Sequence, residues 1–153
     1  MAGLAFYSLL TPAVQAQSRE NTLHELNTLL INTVMEDLFT PPVASRVYVY
    51  PQIAFYECIR QEDSTYRSLA GKLNGLKPLP KAPSGTNYFI AACVSFSRMA
   101  QSLVGSEYKF EDWRIAFTDS LVRITDPDTM KVSMEYGMRM ADSILSWSKK
   151  DNY

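Results

Sequence analysis

The sequence predicts an all-α protein, a bundle of about five helices whose second helix is kinked at a proline. Apolar residues recur at helical spacing along most of the chain, and Gly and Pro mark the breaks between the periodic segments. Strand-like alternation occurs only at Val47-Tyr48-Val49-Tyr50. A helix-start signal precedes this tetrad and apolar residues follow it, so a helix is favoured there as well.

The first helix is predicted from about residue 19 to about residue 39, with Ser18 as its N-cap. Its apolar stripe consists of Leu23, Leu26, Leu30, Val34 and Leu38. His24, the only histidine, falls on the polar edge of this helix. One histidine without partners makes neither a metal site nor a nucleophile–base pair, so a solvated surface residue is predicted.

The second helix begins with a strong start signal. Thr40 is suited to cap it, and Pro41 or Pro42 lies in the first turn, where a missing N–H costs nothing. The helix is predicted to run to about Arg60. Pro51 interrupts its hydrogen-bond ladder, which predicts a kink.

The chain then turns polar, and residues 64–73 are expected to hold a short helix. Residues 74–85 contain three prolines in six positions and predict an extended connector. The third helix is predicted from about Thr86, as its cap, to about Val104. It is nearly apolar throughout, which places it at the centre of the bundle.

Two further helices complete the bundle. Gly105 is expected to end the third helix and Ser106 to cap the fourth, which carries the stripe Phe110, Trp113, Phe117, Leu121 and Ile124. Asp126-Pro127 starts the fifth. Its inner face consists of Met130, Met134, Gly137, Ala141, Ile144 and Leu145.

Composition excludes several classes of function. With 15 Lys+Arg against 16 Asp+Glu, the net charge is -1, so no basic excess is available for nucleic acid. No run of 18 apolar residues exists, so no membrane span is predicted. Residues 1–17 have the pattern of a signal-peptide remnant, with Val14-Gln15-Ala16 as a cleavage site, and residues 18–153 form the helical domain. This predicts export to the periplasm; the alternative is an apolar N-terminal helix that packs on the domain.

Three polar residues of the second helix are the candidate site residues. Arg46, Tyr50 and Glu57 are spaced i, i+4 and i+11, which places them on one side of the helix. Arg46 and Glu57 lie about 16 Å apart along an ideal helix and cannot pair with each other. They are expected either to make interhelical ion pairs and hydrogen bonds or to line a ligand pocket. No catalytic, cofactor-binding or metal-binding residue is predicted.

Cys58 and Cys93 are the only cysteines, and each falls in an apolar helical pattern. Two buried thiols are predicted, since unpaired cysteine behaves as a small apolar residue. A disulfide stays open as the alternative if the protein is exported.

Three stretches resemble bacterial proteins of the vanadium-dependent haloperoxidase and type 2 phosphatidic acid phosphatase superfamily. They are Thr40 to Glu57, which is similar to an early helix of the N-terminal half, Tyr66 to Leu76, and Ile144 to Tyr153. The resemblance implies an all-helical fold. It also implies an active site for vanadate or phosphate, built in the later half from a Lys followed seven residues on by Arg-Pro, a Pro-Ser-Gly-His motif, and a Ser-Arg pair followed by His and Asp.

The chain departs from those motifs. No Arg precedes a Pro, and Pro83-Ser84-Gly85 is followed by Thr86 where the motif has His. No functional residue is carried over. The resemblance therefore implies the N-terminal scaffold of an exported phosphatase or haloperoxidase, inactive alone and without a cofactor of its own, whose full-length parent would bind vanadate or phosphate. Its partners would be the missing C-terminal catalytic helices or a second copy. The alternative is a stand-alone, non-enzymatic periplasmic binding module.

Overall fold

Five α-helices in chain order make up the part of the protein that the structure describes. The computed structural model describes residues 11–150, with side chains from residue 18 onward. The helices are α1 (Thr11–Glu36), α2 (Pro41–Ile59), α3 (Tyr88–Gln101), α4 (Tyr108–Leu121) and α5 (Pro127–Ser148), and a short 3-10 helix, Arg60–Glu62, follows α2. No strand occurs in residues 11–150, which confirms the predicted all-α class. None of the helices described is both long and apolar enough to cross a membrane.

Helix α3 lies at the centre, as its apolar sequence predicts. It packs against α2 on one side and α5 on the other, and ten of its residues are buried. The approach of α3 to α5 is close at Gly137, where a Cβ atom would lie 2.5 Å from the carbonyl oxygen of Ala91 and 3.0 Å from Cβ of Val94. Glycine is therefore needed at this helix crossing.

The bounds of α1 differ from the prediction at both ends. The helix begins at Thr11, with Pro12 in its first turn, so Ser18 lies inside it and is not the N-cap. Residues 1–10 of the predicted signal remnant lie outside the described residues. At the other end α1 stops at Glu36, and Leu38 has a positive φ of 56°.

The end of α1 is a Schellman motif with leucine at the position that usually holds glycine. The N–H of Phe39 donates to the carbonyl of Val34, and the N–H of Leu38 donates to that of Met35, both at 3.3 Å. Leu38 is 85% exposed, although the helical spacing had placed it on the buried stripe. The chain leaves the helix one turn too early for Leu38 to reach the core.

Asp37 ties this corner to the turn before α4. Its carboxylate accepts bonds from the N–H groups of Gly105 (2.8 Å) and Ser106 (3.0 Å) and from the Ser106 hydroxyl (2.6 Å). These bonds, led by the hydroxyl, lower the pKa of Asp37. Ser106 is therefore used by Asp37 and does not cap α4, whose N-cap position is Glu107; α3 ends at Gln101, before Gly105.

Two other local predictions are wrong. Residues 64–73 form turns and bends and no α-helix. Asn87, one residue after the predicted Thr86, caps α3 and accepts bonds from the N–H groups of Phe89 and Ile90 at 3.1 Å each. The predicted starts of α2 and α5 are right. Asp126 accepts a bond from the N–H of Thr129, whereas Thr40 holds the cap position of α2 without a side-chain bond.

Candidate functional site

Helix α2 presents its candidate residues to two different surroundings. Arg46 and Tyr50 lie in its first half and line a cavity of about 470 Å³. Glu57 lies in the second half, fully buried, and does not line that cavity. The helix continues through Pro51, which separates the two halves. The three residues are thus not one site, although the spacing places them on one side of the helix.

The cavity, here called the Arg46 cavity, is built from three distant segments. Helix α2 forms one wall, the turn at residues 73–75 forms the second, and the end of α5 forms the third. The ten lining residues are Ser45, Arg46, Val49, Tyr50, Ile53, Leu73, Asn74, Gly75, Trp147 and Lys150. All of them fall within the three stretches that carry the family resemblance.

Trp147 holds the three walls together. Its indole Nε1 donates to the carbonyl oxygen of Asn74 at 3.0 Å. Its ring packs edge-on against Tyr50, with ring centroids 5.6 Å apart and an interplanar angle of 90°. Gly75 has a φ of +72°, which glycine adopts at no steric cost, and this conformation lets the turn pass close to the indole. The turn is therefore fixed to α2 through one aromatic side chain.

The charges of the Arg46 cavity are cationic. Arg46 and Lys150 are the charged residues among the described part of its lining. A second cavity of about 390 Å³ adjoins it and shares Gly75, Trp147 and Lys150. Mostly apolar walls with two cations suit an apolar segment or ligand that carries a carboxylate or another anionic group. Trp147 and Lys150 were not singled out as site residues, although they lie in a stretch that carries the resemblance.

Glu57 organises the opposite end of α2. Its carboxylate accepts bonds from Nε of Arg60 (2.7 Å), from the Ser68 hydroxyl (3.0 and 3.1 Å to its two oxygens) and from the N–H of Leu69 (2.6 Å). A buried carboxylate is tolerated when its oxygens are satisfied in this way. The Gln61 side chain donates to the Glu57 carbonyl at 2.9 Å. Glu57 thus fastens the turn at residues 68–69 to the bundle.

Tyr136 continues this network into the proline-rich connector. Its hydroxyl donates to the carbonyl of Pro80 at 3.1 Å and is hydrogen-bonded to the Gln61 side chain. The side-chain oxygen Oε1 of Gln61 accepts a bond from the N–H of Ala82 at 3.2 Å. Burial raises the pKa of Tyr136, so the hydroxyl keeps its proton and remains a donor. Neither Gln61 nor Tyr136 was a candidate from sequence.

The two cysteines are free and buried, as the apolar helical pattern predicts. Burial raises the pKa of the Cys58 thiol to about 12 and raises that of Cys93 as well. A thiol of such high pKa holds almost no thiolate near neutral pH. Cys58 and Cys93 therefore act as small core residues.

The described residues do not fit the oxyanion site that the resemblance implies for the parent. His24 is exposed on α1 and does not line the Arg46 cavity, so that cavity has cations but no imidazole to bond vanadium or phosphorus. Ser84 and Gly85 lie exposed in a turn, with Thr86 bonded back to the Pro83 carbonyl at 2.8 Å. Among residues 11–150, no three His, Cys, Asp or Glu side chains come together as metal ligands.

Comparison with known proteins finds a similar chain among the solved structures. No protein-family profile matches the chain, and no curated protein matches it significantly. A crystal structure described as the first bacterial vanadium-dependent iodoperoxidase is similar to it, with 34% sequence identity and a TM-score of 0.82. The similarity covers 87% of this chain and 32% of the iodoperoxidase chain.

The chain therefore spans about a third of the length of that iodoperoxidase. The five helices have the helical fold of a vanadium haloperoxidase, and the match supports the superfamily of vanadium haloperoxidases and type 2 phosphatidic acid phosphatases as the group to which the chain is related.

Proposed function

We propose that this chain is the N-terminal scaffold of a longer, exported protein of that superfamily, whose oxyanion-binding residues lie outside these 153 positions. The observation that carries the proposal is the asymmetry of the match, 87% of this chain against 32% of the iodoperoxidase. The missing Arg-Pro and Pro-Ser-Gly-His motifs support it. The parent would be a haloperoxidase or a phosphatase, since both use the same oxyanion chemistry.

The scaffold role rests on how the described residues are used. The polar groups around Glu57 and Tyr136 hold the connector in place, and none of them faces the Arg46 cavity. Helices α2, α3 and α5 form the core, and α5 approaches α3 so closely at Gly137 that a Cβ atom would not fit there. Such a base would keep the catalytic helices of the parent in position and shape the entry to their oxyanion pocket.

The first test is the intact mass of the native protein, with peptide mapping beyond Tyr153. We expect a product about three times as long as this chain, from the covered fraction, carrying the Arg-Pro and Pro-Ser-Gly-His motifs. The N-terminal peptide tests export, because cleavage after Ala16 would leave Gln17 as the first residue. A native product that ends at Tyr153 would contradict the proposal.

The second test is activity. The 153-residue chain, supplied with vanadate, hydrogen peroxide and iodide or bromide, should oxidise neither halide, and it should not hydrolyse a phosphomonoester. The longer native protein, assayed in parallel, serves as the positive control. Vanadate-dependent halide oxidation by the 153-residue chain would refute the scaffold role.

One observation favours a second candidate function, a stand-alone periplasmic binding module. The Arg46 cavity has the volume of a small-ligand site, and Lys150 places a cation on its wall. This alternative requires a native protein that ends at Tyr153 and a ligand that stabilises it. Thermal unfolding with carboxylate and phosphate ligands, compared between the natural chain and Lys150→Ala, would separate the two functions.

A further inference from the structure

The turn that forms one wall of the Arg46 cavity contains the pair Asn74-Gly75, the one place in the chain where glycine follows asparagine. The N–H of Leu76 donates to the carbonyl of Leu73 at 3.1 Å and closes the turn, so that Asn74 and Gly75 lie in its middle. Gly75 has a φ of +72°, a value that the third residue of such a turn adopts when it is glycine. Asn74 and Gly75 are both exposed, so solvent reaches the peptide bond that joins them.

An Asn-Gly pair can react with itself, which is one reason why asparagine is a thermolabile residue. The backbone nitrogen of Gly75 attacks Cγ of Asn74, gives up its proton to solvent and displaces the side-chain amide as ammonia. Water then opens the resulting succinimide ring at either of its two carbonyl carbons. One opening gives aspartate, and the other gives iso-aspartate, in which the main chain runs through the former side chain. In sum one water enters and one ammonia leaves, and nothing is oxidised or reduced.

The structure of the turn favours this attack. Glycine has no Cβ atom, so nothing shields the attacking nitrogen. Within residues 11–150 no acceptor bonds the N–H of Gly75, and the side chain of Asn74 makes no hydrogen bond. The two reacting groups can therefore approach each other without breaking a contact in the described part of the chain.

The other described asparagines lack these features. Asn21, Asn27 and Asn32 lie within α1, and each precedes a threonine, whose branched Cβ shields the backbone nitrogen. Asn87 precedes Tyr88, and its side-chain oxygen accepts bonds from two N–H groups at the start of α3. Asn27 and Asn87 are therefore internal references for the reaction at Asn74.

Iso-aspartate at residue 74 changes the contact between the turn and α5. In the unmodified chain Nε1 of Trp147 donates to the main-chain carbonyl oxygen of Asn74 at 3.0 Å. In iso-aspartate that carbonyl carbon belongs to a free carboxylate and has left the main chain, which becomes longer by one bond. The hydrogen bond to Trp147 then no longer fixes the path of the turn. The new carboxylate also adds a negative charge to a cavity wall that Lys150 shares.

We infer that Asn74 is a site of spontaneous deamidation, and that iso-aspartate there releases the turn at residues 73–75 from Trp147 and adds a carboxylate to the Arg46 cavity. The reaction needs no enzyme and no partner. The modified fraction therefore grows with the age of the molecule, and the cavity of an old molecule differs in charge and shape from that of a new one. This inference is independent of the scaffold role, because it concerns a local reaction of the turn.

Peptide mapping by mass spectrometry measures the reaction. The 153-residue chain is incubated near neutral pH at physiological temperature, and iso-aspartate is located by fragmentation of the peptides. We expect residue 74 to deamidate at least about tenfold faster than Asn27 or Asn87, because their following residues carry a Cβ atom and their side chains are hydrogen-bonded. Asn74→Gln is the matched control, since the longer side chain does not close this ring readily, and residue 74 should then stay unmodified.

The two tryptophans of the chain report the structural consequence. In a proton–nitrogen correlation spectrum the indole resonance of Trp147 should shift in the modified fraction, whereas that of Trp113, on α4, should keep its position. Asn74→Asp adds the charge without lengthening the main chain, so it should shift the Trp147 resonance less than iso-aspartate does. In Asn74→Gln neither resonance should change during the same incubation.

Each opposite result would overturn the inference. A rate at residue 74 equal to that at Asn27 would exclude the site. An unchanged Trp147 resonance in the iso-aspartate product, or an equal shift in Asn74→Asp, would show that the turn stays attached to the indole. A Trp147 shift that develops in Asn74→Gln as well would show that deamidation is not its cause. None of these results bears on the scaffold role, which the native mass decides.

Discussion

The two ends of α2 differ in how much of their surface the rest of the described chain covers. At the C-terminal end, Glu57 and Cys58 are fully buried, and the Glu57 carboxylate has partners on both oxygens. At the N-terminal end, Val49 is half exposed and Leu38 beside it is almost fully exposed. The C-terminal end of α2 is thus covered by other parts of the chain, whereas its N-terminal end adjoins exposed apolar side chains.

The largest expected effect is at the C-terminal end of α2. Glu57→Ala should lower the free energy of unfolding by about 3–5 kcal/mol, because it leaves Arg60 without its carboxylate and the Leu69 N–H without an acceptor in a buried site. Urea unfolding followed by circular dichroism measures this loss. It would be a large part of the stability of a domain of this size, about 5–15 kcal/mol.

The matched control is Glu62→Ala. Glu62 pairs with Arg19 at 3.0 Å, but both side chains are about one-third exposed. Surface ion pairs contribute less than about 1 kcal/mol, so this variant should stay close to the natural chain. If the two variants lose the same stability, Glu57 is not the fastening point of the turn at residues 68–69.

The next effect tests the α3–α5 crossing. Gly137→Ala should cost about 2 kcal/mol net. The new Cβ meets a backbone oxygen at 2.5 Å, so the overpacking penalty is about 3 kcal/mol, the upper end of its usual range. The better helix propensity of alanine recovers only about 1 kcal/mol. Urea unfolding of Gly137→Ala beside Gly105→Ala measures the difference, since the Cβ at residue 105 would meet ordinary contacts of 3.4 Å and longer. A neutral Gly137→Ala would mean that the helices separate without cost.

Alkaline pH should lower the free energy of unfolding through the Cys58 thiol, at the same end of α2. Burial raises the pKa of Cys58 from the ordinary 9.0 to about 12, so above pH 9 the unfolded chain loses this proton while the folded chain keeps it. Stability is therefore fully present below pH 9 and falls as the pH rises toward 12, by at most about 1.4 kcal/mol per pH unit for one thiol. Urea midpoints at pH 7 and pH 10.5 should fall less for Cys58→Ala than for the natural chain. Parallel losses would show that the thiol does not carry the pH dependence.

Local signals in the sequence predicted what local interactions determine. The starts of α2 and α5 are right because Thr40-Pro41 and Asp126-Pro127 act within one turn. The turn at residues 68–69 was mistaken for part of a helix. The N–H of Leu69 donates to the Glu57 carboxylate, twelve residues earlier, and a partner at that distance leaves no local signal in the sequence. The shift of the α3 cap from Thr86 to Asn87 lies within the ordinary error of helix ends.

The site was only partly predictable for the same reason. Periodicity found Arg46 and Tyr50 because one helical turn separates them, and they do line one cavity. It also grouped Glu57 with them, since spacing carries no information on what packs against each turn. Trp147 and the turn before Gly75 reach the cavity through contacts 73 residues apart in sequence, which no pattern along the chain encodes.

The smallest expected effect is at the exposed end and has the opposite sign. Leu38→Gly in the 153-residue chain should raise the free energy of unfolding by about 0.5 kcal/mol. The substitution relieves a backbone strain of about 1–2 kcal/mol at the positive φ. The greater entropy of glycine in the unfolded chain, and the small apolar area that Leu38 buries, offset part of this gain. Leu38→Ala keeps the positive φ and should not stabilise. Thermal unfolding of both variants measures the difference. A gain confined to glycine would mean that Leu38 opposes the stability of these five helices, so the leucine is explained by a contact that they do not make themselves. A loss of stability in Leu38→Gly would place its role inside the bundle, and the two ends of α2 would then be alike.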